Sequence, residues 1–308
     1  MMTALRPDPV QRNRIERGAR TSSFMCWTCG SCDFECPVNI ATGCLRPQKL
    51  VRMANLGFLD ELLDLPEIWY CLTCRRCLQI CPNEVKPVVL IEHLRKEAVR
   101  QGLYSVQILG KFKDLSRRFQ RVRWHATAEC LQSGAFELSD STWNEWLEKP
   151  VPEIHDVIDN KALASATDEF SNKVATSRTA ACFTCGECSS ACPVSCERNI
   201  FDPRAIFRSV NLGLMEELFL SPSIWLCISC GRCTDACSQL VDGKTMIATV
   251  QKMAIDNGTV SRSFPYRLEQ AEKVIYTRFL RDIDALFGFN RPHTADKGAG
   301  VKPAAACV

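Results

Sequence analysis

The sequence predicts a mainly α-helical chain: two copies of one cysteine-rich helical module, joined by a helical connector. Three observations predict it. The chain has 20 cysteines in 308 residues, and four groups of them repeat one spacing, C-x2-C-x2-C-x3-C. The two halves align without a gap at an offset of 156 residues, Cys26–Gly102 onto Cys182–Gly258, with 28 of 77 positions identical. Around the cysteine groups, apolar residues recur at helical intervals. The boundaries read as an N-terminal extension (1–22), a first module (23–103), a connector (104–180), a second module (181–259) and a last helix with a tail (260–308).

Composition narrows the chemistry. With 46% hydrophobic residues the chain can build cores, so disorder throughout is excluded. A net charge of +3 is too small to argue by itself for nucleic acid or an acidic partner. No window approaches the roughly 18 consecutive apolar residues of a membrane span. Met1 to Arg20 is Arg-rich and has no apolar h-region, so no secretory signal and a cytoplasmic setting are expected. That setting disfavours a disulfide framework, which leaves metal or redox chemistry for the cysteines.

The four groups are Cys26/Cys29/Cys32/Cys36, Cys71/Cys74/Cys77/Cys81, Cys182/Cys185/Cys188/Cys192 and Cys227/Cys230/Cys233/Cys237. Three thiolates at i, i+3 and i+6 let one loop wrap a corner of an iron–sulfur cube, while the fourth points to a neighbouring cube. Pro37, Pro82 and Pro193 follow the last Cys in three groups and fix the backbone there; Ser238 stands in the fourth. Each module therefore calls for two [4Fe–4S] clusters with exchanged fourth ligands. The sets are Cys26, Cys29, Cys32 and Cys81; Cys71, Cys74, Cys77 and Cys36; Cys182, Cys185, Cys188 and Cys237; and Cys227, Cys230, Cys233 and Cys192. Structural zinc would instead use separated C-x2-C pairs. Radical chemistry would want an iron with only three cysteines, and here every iron has its own thiolate.

The remaining elements follow in order. Pro47 suits a first helical position and Gly57 a C-terminal cap. A short helix from Phe58 to Leu65 precedes Pro66, and Pro87 opens a helix that ends at Gly102. Ile91, Leu94 and Ala98 form its apolar side; Met246, Ile247, Val250, Met253 and Ala254 do so in the copy. In the connector, Ile108, Phe112, Leu115, Phe119 and Val122 mark an amphipathic helix. Its other side carries Lys111, Lys113, Arg117, Arg118, Arg121 and Arg123 against Asp114, as a solvated face or a docking surface. Trp124 to Phe170 is acidic, so the two blocks can attract each other. Trp143, Trp146 and Leu147 suggest an anchor packed on this chain. Leu268, Ile275, Phe279, Ile283 and Leu286 place a last helix over Tyr266 to Phe287, before an Ala/Gly/Pro/Lys-rich tail expected to be disordered.

Cys44 and Cys196 occupy non-equivalent repeat positions, which argues against a shared ligand role. Cys130 reads as a buried small hydrophobe and Cys307 as a free thiol. His93, His125, His155 and His293 form no cluster. Ser238 offers an N–H and a hydroxyl where the other groups have proline. A donor to the Cys182/Cys185/Cys188/Cys237 cluster would raise its potential and draw electrons to the second module.

The module resembles the C-type iron–sulfur component of heterodisulfide reductase. The resemblance lies in Cys26-Trp-Thr-Cys-Gly-Ser-Cys, Cys36-Pro37, Pro47 to Asn55-Leu56-Gly57, Ile68-Trp69-Tyr70-Cys71, Cys81-Pro82 and Val85-Lys86-Pro87. Ile224-Trp225-Leu226-Cys227 carries it in the second half, which departs at Ser238 and Gly243. The resemblance implies helical ferredoxin modules, here duplicated, in an electron-transfer subunit of a soluble heterodisulfide reductase-like complex of anaerobic sulfur metabolism. Its partners would be a flavin-bearing A-type subunit and a catalytic B-type subunit with Cys-Cys-Gly motifs. This chain has no adjacent Cys-Cys pair and no G-x-G-x-x-G fingerprint, so no catalytic residue is assigned. The alternatives are a stand-alone thiol/disulfide oxidoreductase and a relay in another complex, such as an aromatic acyl-CoA reductase.

Overall fold

The computed structural model describes residues 6–132, 136–152, 178–197 and 199–290. The expectations for the tail, Cys307, His155, His293 and residues 133–135 and 153–170 of the acidic stretch lie outside these residues. Every regular element among the described residues is a helix. They include α1 (Pro9–Ala19), α2 (Pro47–Leu56), α3 (Leu59–Leu63), α4 (Pro87–Arg100), α5 (Val106–Gln132), α6 (Asp140–Glu148), α7 (Pro203–Asn211), α8 (Met215–Leu220), α9 (Gly243–Asp256) and α10 (Phe264–Phe287). The first module is built on α2–α4 and the second on α7–α9.

Local chemistry explains the ends of these helices. Pro47 and Pro203 occupy the first turns of α2 and α7, where a missing N–H costs nothing. Asp202 caps α7 directly, its carboxylate accepting from the Arg204 N–H at 2.9 Å. In α2 the residue before the helix is Arg46, and the cap comes from Asp33, which accepts from the Gln48 N–H at 2.7 Å. α3 is shorter than the predicted Phe58–Leu65. Phe58 sits outside the helix at φ −82° and ψ 66°, and the helix stops at Leu63. Gly57 closes α2 at φ +80°, and α1 approaches it so closely that a Cβ there would lie 2.0 Å from the Asp8 carbonyl oxygen. The Asp8 N–H donates to the Leu56 carbonyl at 2.9 Å, so the end of α2 holds the start of α1.

The apolar sides are as predicted. Ile91, Leu94 and Ala98 are buried in α4, and Met246, Ile247, Val250 and Ala254 in α9, with Met253 half-buried. α5 and α10 form a spine shared by both modules. Leu115, Phe119 and Val122 of α5 and Ile275, Phe279, Ile283 and Phe287 of α10 join the core of the first module. Cys130, Phe264 and Ala271, at the other ends of the same two helices, join the core of the second. Phe119 stacks on Phe279 at 4.0 Å and Trp69 on Phe287 at 4.2 Å. The Tyr70 hydroxyl donates to Asp284 at 2.6 Å. Trp143, Trp146 and Leu147 of α6 are buried on this spine, with the Trp143 indole N–H on Asp282 at 2.8 Å.

The basic side of α5 is neither plain solvated face nor open patch. Arg118 pairs with Glu148, Arg121 with Glu197 at 2.7 Å and Arg123 with Glu272 at 3.1 Å. These carboxylates come from α6, the second module and α10, so the stripe ties elements together. Lys111 and Lys113 remain exposed. Among the described residues, no helix is long and apolar enough to cross a membrane.

Candidate functional site

Each cysteine group forms on a loop twisted by two left-handed residues. Thr28 and Gly30, Thr73 and Arg75, Thr184 and Gly186, and Ser229 and Gly231 all have positive φ, at matching places in the four motifs. This winding turns backbone N–H groups inward, the usual way a loop receives an anion. The Thr73, Thr184 and Ser229 amides donate to the sulfurs of Cys71, Cys182 and Cys227 at 3.3–3.4 Å. Val85 and Val241 donate to Cys81 and Cys237, both at 3.4 Å.

Cys36 leaves its own motif and joins the next. It lines one small enclosed space with Cys71, Cys74 and Cys77, among Val38, Leu45, Val88 and Ile91. The copy repeats this with Cys192, Cys227, Cys230 and Cys233, among Val194, Phe201 and Ile247. We call these the inner groups. In the first module's outer group, Cys32 lies within electrostatic reach of Cys26 and Cys81. In the second module's outer group Cys188 is near Cys182; the grouping of Cys185 and Cys237 with them rests on the repeat. Cys29 and Cys185, one in each outer group, are exposed.

Burial pushes the Cys36 and Cys192 thiols up to about 12, with the neighbouring cysteines adding to the shift. Cys74 rises to about 11 and Cys233 to about 12 for the same first reason, burial. Cys29 goes the other way, because the Ser31 hydroxyl holds its thiolate. Several thiolates in one apolar enclosure would repel one another unless cations lie between them. The donor set, apolar walls and inward N–H groups therefore fit an iron–sulfur cube. No group of His, Cys, Asp or Glu among the described residues is drawn together tightly enough for a single metal ion.

The two inner groups face each other across the module boundary. Cys74 feels the charge of Cys230, its counterpart in the repeat, and both lie in the second module's core. Gln79 donates to Asp235, also its counterpart, at 2.6 Å. Arg76 donates to the Ile228 carbonyl at 3.1 Å while paired with Glu35. Gly231 has no Cβ, and one would lie 3.1 Å from the Gln79 amide nitrogen. Meeting of equivalent positions is the signature of a local two-fold relation.

The other candidates fall outside these groups. Cys130 is buried at 1% exposure, as a small hydrophobe would be. Cys44 lies beside Thr42, and the Cys196 thiol points at the Arg117 carbonyl. Ser238 is exposed, and the amide reaching Cys237 is that of Val241, matched by Val85 at Cys81. At the level of these sulfur contacts, the missing proline does not break the repeat's symmetry. Sequence reasoning missed Arg95, which donates to the Ile68, Trp69 and Cys71 carbonyls at 2.6, 3.1 and 2.6 Å. Its counterpart Gln251 donates to the Ile224 carbonyl at 2.8 Å. The repeat alignment pairs the two, and that charge difference was the available signal.

Comparison with known proteins gives the same organisation. The 4Fe–4S dicluster domain matches twice, at residues 22–85 and 178–241. The C-type component of a CoB–CoM heterodisulfide, ferredoxin reductase of Methanothermobacter thermautotrophicus is 35% identical over 92 residues, covering 30% of this chain and 49% of that one. The C-type iron–sulfur component of a CoB–CoM heterodisulfide reductase of Methanocaldococcus jannaschii is 42% identical over 77 residues, 25% of this chain and 40% of that one. A protein of Archaeoglobus profundus, described as like the C-type component of heterodisulfide reductase, is 37% identical over 81 residues, 26% and 43% of the two chains. The chain spans about half the length of these relatives or less. Two dicluster domains imply four [4Fe–4S] clusters. The chain carries the 4Fe–4S dicluster domain in tandem, and over that domain it is similar to the C-type iron–sulfur components of heterodisulfide reductase.

Proposed function

We propose that the chain is an electron-transfer subunit that relays single electrons through four clusters in a row. The ligands are the four sets derived above: Cys26, Cys29, Cys32 and Cys81; Cys36, Cys71, Cys74 and Cys77; Cys192, Cys227, Cys230 and Cys233; Cys182, Cys185, Cys188 and Cys237. Each bound cluster supplies one-electron redox chemistry with no bond made or broken. The chain's residues hold, insulate and align. Val38, Val88 and Ile91 wall the first inner group, and Val194, Phe201 and Ile247 the second.

The observation that carries this reading is the approach of Cys74 to Cys230. It joins two cluster pairs into one path, because electron transfer falls steeply with distance. Arg76 and Gln79 hold that junction through Ile228 and Asp235. The two ends of the path open at Cys29 and Cys185, beside Trp27 at 73% exposure and its counterpart Phe183 at 71%. Exposed aromatics at equivalent ends suit contact with two other proteins.

In this reading one partner is a flavin-bearing A-type subunit and the other a B-type subunit with Cys-Cys-Gly motifs, as in a heterodisulfide reductase-like complex. Anaerobic purification of the tagged chain from its own cells tests it. A co-purifying flavoprotein whose reduced flavin bleaches the clusters' visible absorbance is expected. A chain that purifies alone and reduces a disulfide unaided would overturn it.

A further inference from the structure

We propose that Arg95 makes the inner group of the first module the electron sink of the chain, an inference that rests on the relay reading above. The repeat supplies an internal control. Arg95 in α4 and Gln251 in α9 are equivalent, and both reach the carbonyl of an equivalent isoleucine, Ile68 or Ile224. The bracing is shared, but the charge is not. The Arg95 fork extends to the Trp69 and Cys71 carbonyls, which sets a fixed cation beside the first inner group where the second has the neutral Gln251. Guanidinium does not lose its proton in proteins.

A cluster gains one negative charge when it is reduced. A fixed positive charge nearby favours that state, more strongly where water is displaced. Trp69 and Phe112 flank the guanidinium at 5.7 and 5.3 Å and keep part of the solvent away. Arg75 lines the first inner space and Lys244 the second, both exposed to water that screens them, so neither reverses the difference. Arg76 lies between the inner groups, acts on both and is paired with Glu35. Arg123, which faces Cys227, is bound to Glu272 at 3.1 Å. Glu92, one turn before Arg95, opposes it at Cys71 but with the weaker influence.

Across the Cys74–Cys230 junction, one electron leaves the group of Cys192, Cys227, Cys230 and Cys233 and arrives at that of Cys36, Cys71, Cys74 and Cys77. No proton or bond moves with it. This direction is opposite to the one expected from Ser238, which is exposed.

The test is an anaerobic, EPR-monitored titration with dithionite of the native chain, Arg95→Gln and Gln251→Arg, with iron measured in each. Arg95→Gln should lower one of the four one-electron midpoints by at least tenfold in the reduction equilibrium, 59 mV. Gln251→Arg should raise a different midpoint. Unmoved midpoints at full iron content overturn the proposal, and so does movement of the same midpoint by both variants. Should Arg95→Gln shed iron, the Gln251→Arg result decides alone. Fewer than four transitions in the native chain would overturn the four-cluster reading instead, whatever the variants do.

Discussion

Cys36 is the residue whose replacement separates exchanged from unexchanged ligation. It closes the first motif in sequence, yet its side chain lines the space shared by Cys71, Cys74 and Cys77. It is only 7% exposed, so water does not readily take the thiolate's place. Cys36→Ala removes one of four thiolates and leaves the apolar walls standing. A cube carries four irons, so content should fall from about 16 toward about 12 per chain. Hydrogen exchange locates the loss. Amides of residues 72–79 should lose protection, because that loop is wound around its ligand, while those of 27–33 keep theirs. Anaerobic iron and sulfide analysis gives the count on the same samples. Loss confined to the 27–33 loop would refute the exchange. Loss of about eight irons with both loops open would mean that the module unfolds as a unit.

Three further substitutions test the packing of the first module. Gly57→Ala should cost about 3 kcal/mol, combining the left-handed backbone with displacement of α1 from Asp8, whereas Gly102→Ala, with nothing within 4 Å, should cost about 1. Equal costs by anaerobic denaturation would show that α1 does not depend on the end of α2. Glu97, held by Arg14 at 2.8 Å and by Arg100, has its carboxyl pushed down to about 2, first by the Arg100 hydrogen bond. Such a group adds stability above its unfolded value of 4.5 and loses it as pH falls toward 2. Glu97→Gln should therefore cost about 1–2 kcal/mol, discounted for the exposed guanidiniums, and equally at pH 8 and pH 6. A cost that grows between those pH values would contradict this.

Much of the molecule was legible in the sequence because its signals are local. The C-x2-C-x2-C-x3-C spacing marks a loop, and Pro47 and Gly57 mark the ends of α2. The 156-residue offset matches the spacing of the two domain matches. What was not legible depends on tertiary meeting. Nothing local places Gln79 on Asp235 or Arg76 on Ile228, because those contacts exist only once two modules pack. The Arg118–Glu148 pair is the attraction between basic and acidic blocks that the sequence allowed, whereas Glu197 and Glu272 lie outside that acidic block and meet Arg121 and Arg123 only in the folded chain. Arg95 and Gln251 belong to the same class, because the carbonyls they reach beside the cysteines come from other parts of the chain. Ser238 is a local departure from the motif that leaves the contacts of Val241 on Cys237 and Val85 on Cys81 alike.

Anaerobic iron and sulfide analysis of the intact chain, with a spin count of the reduced state, tests the central claim most directly. The four-cluster relay predicts about 16 iron and 16 sulfide per chain, four of each per cube. Values near eight, or a chain whose iron is not matched by sulfide, would contradict it.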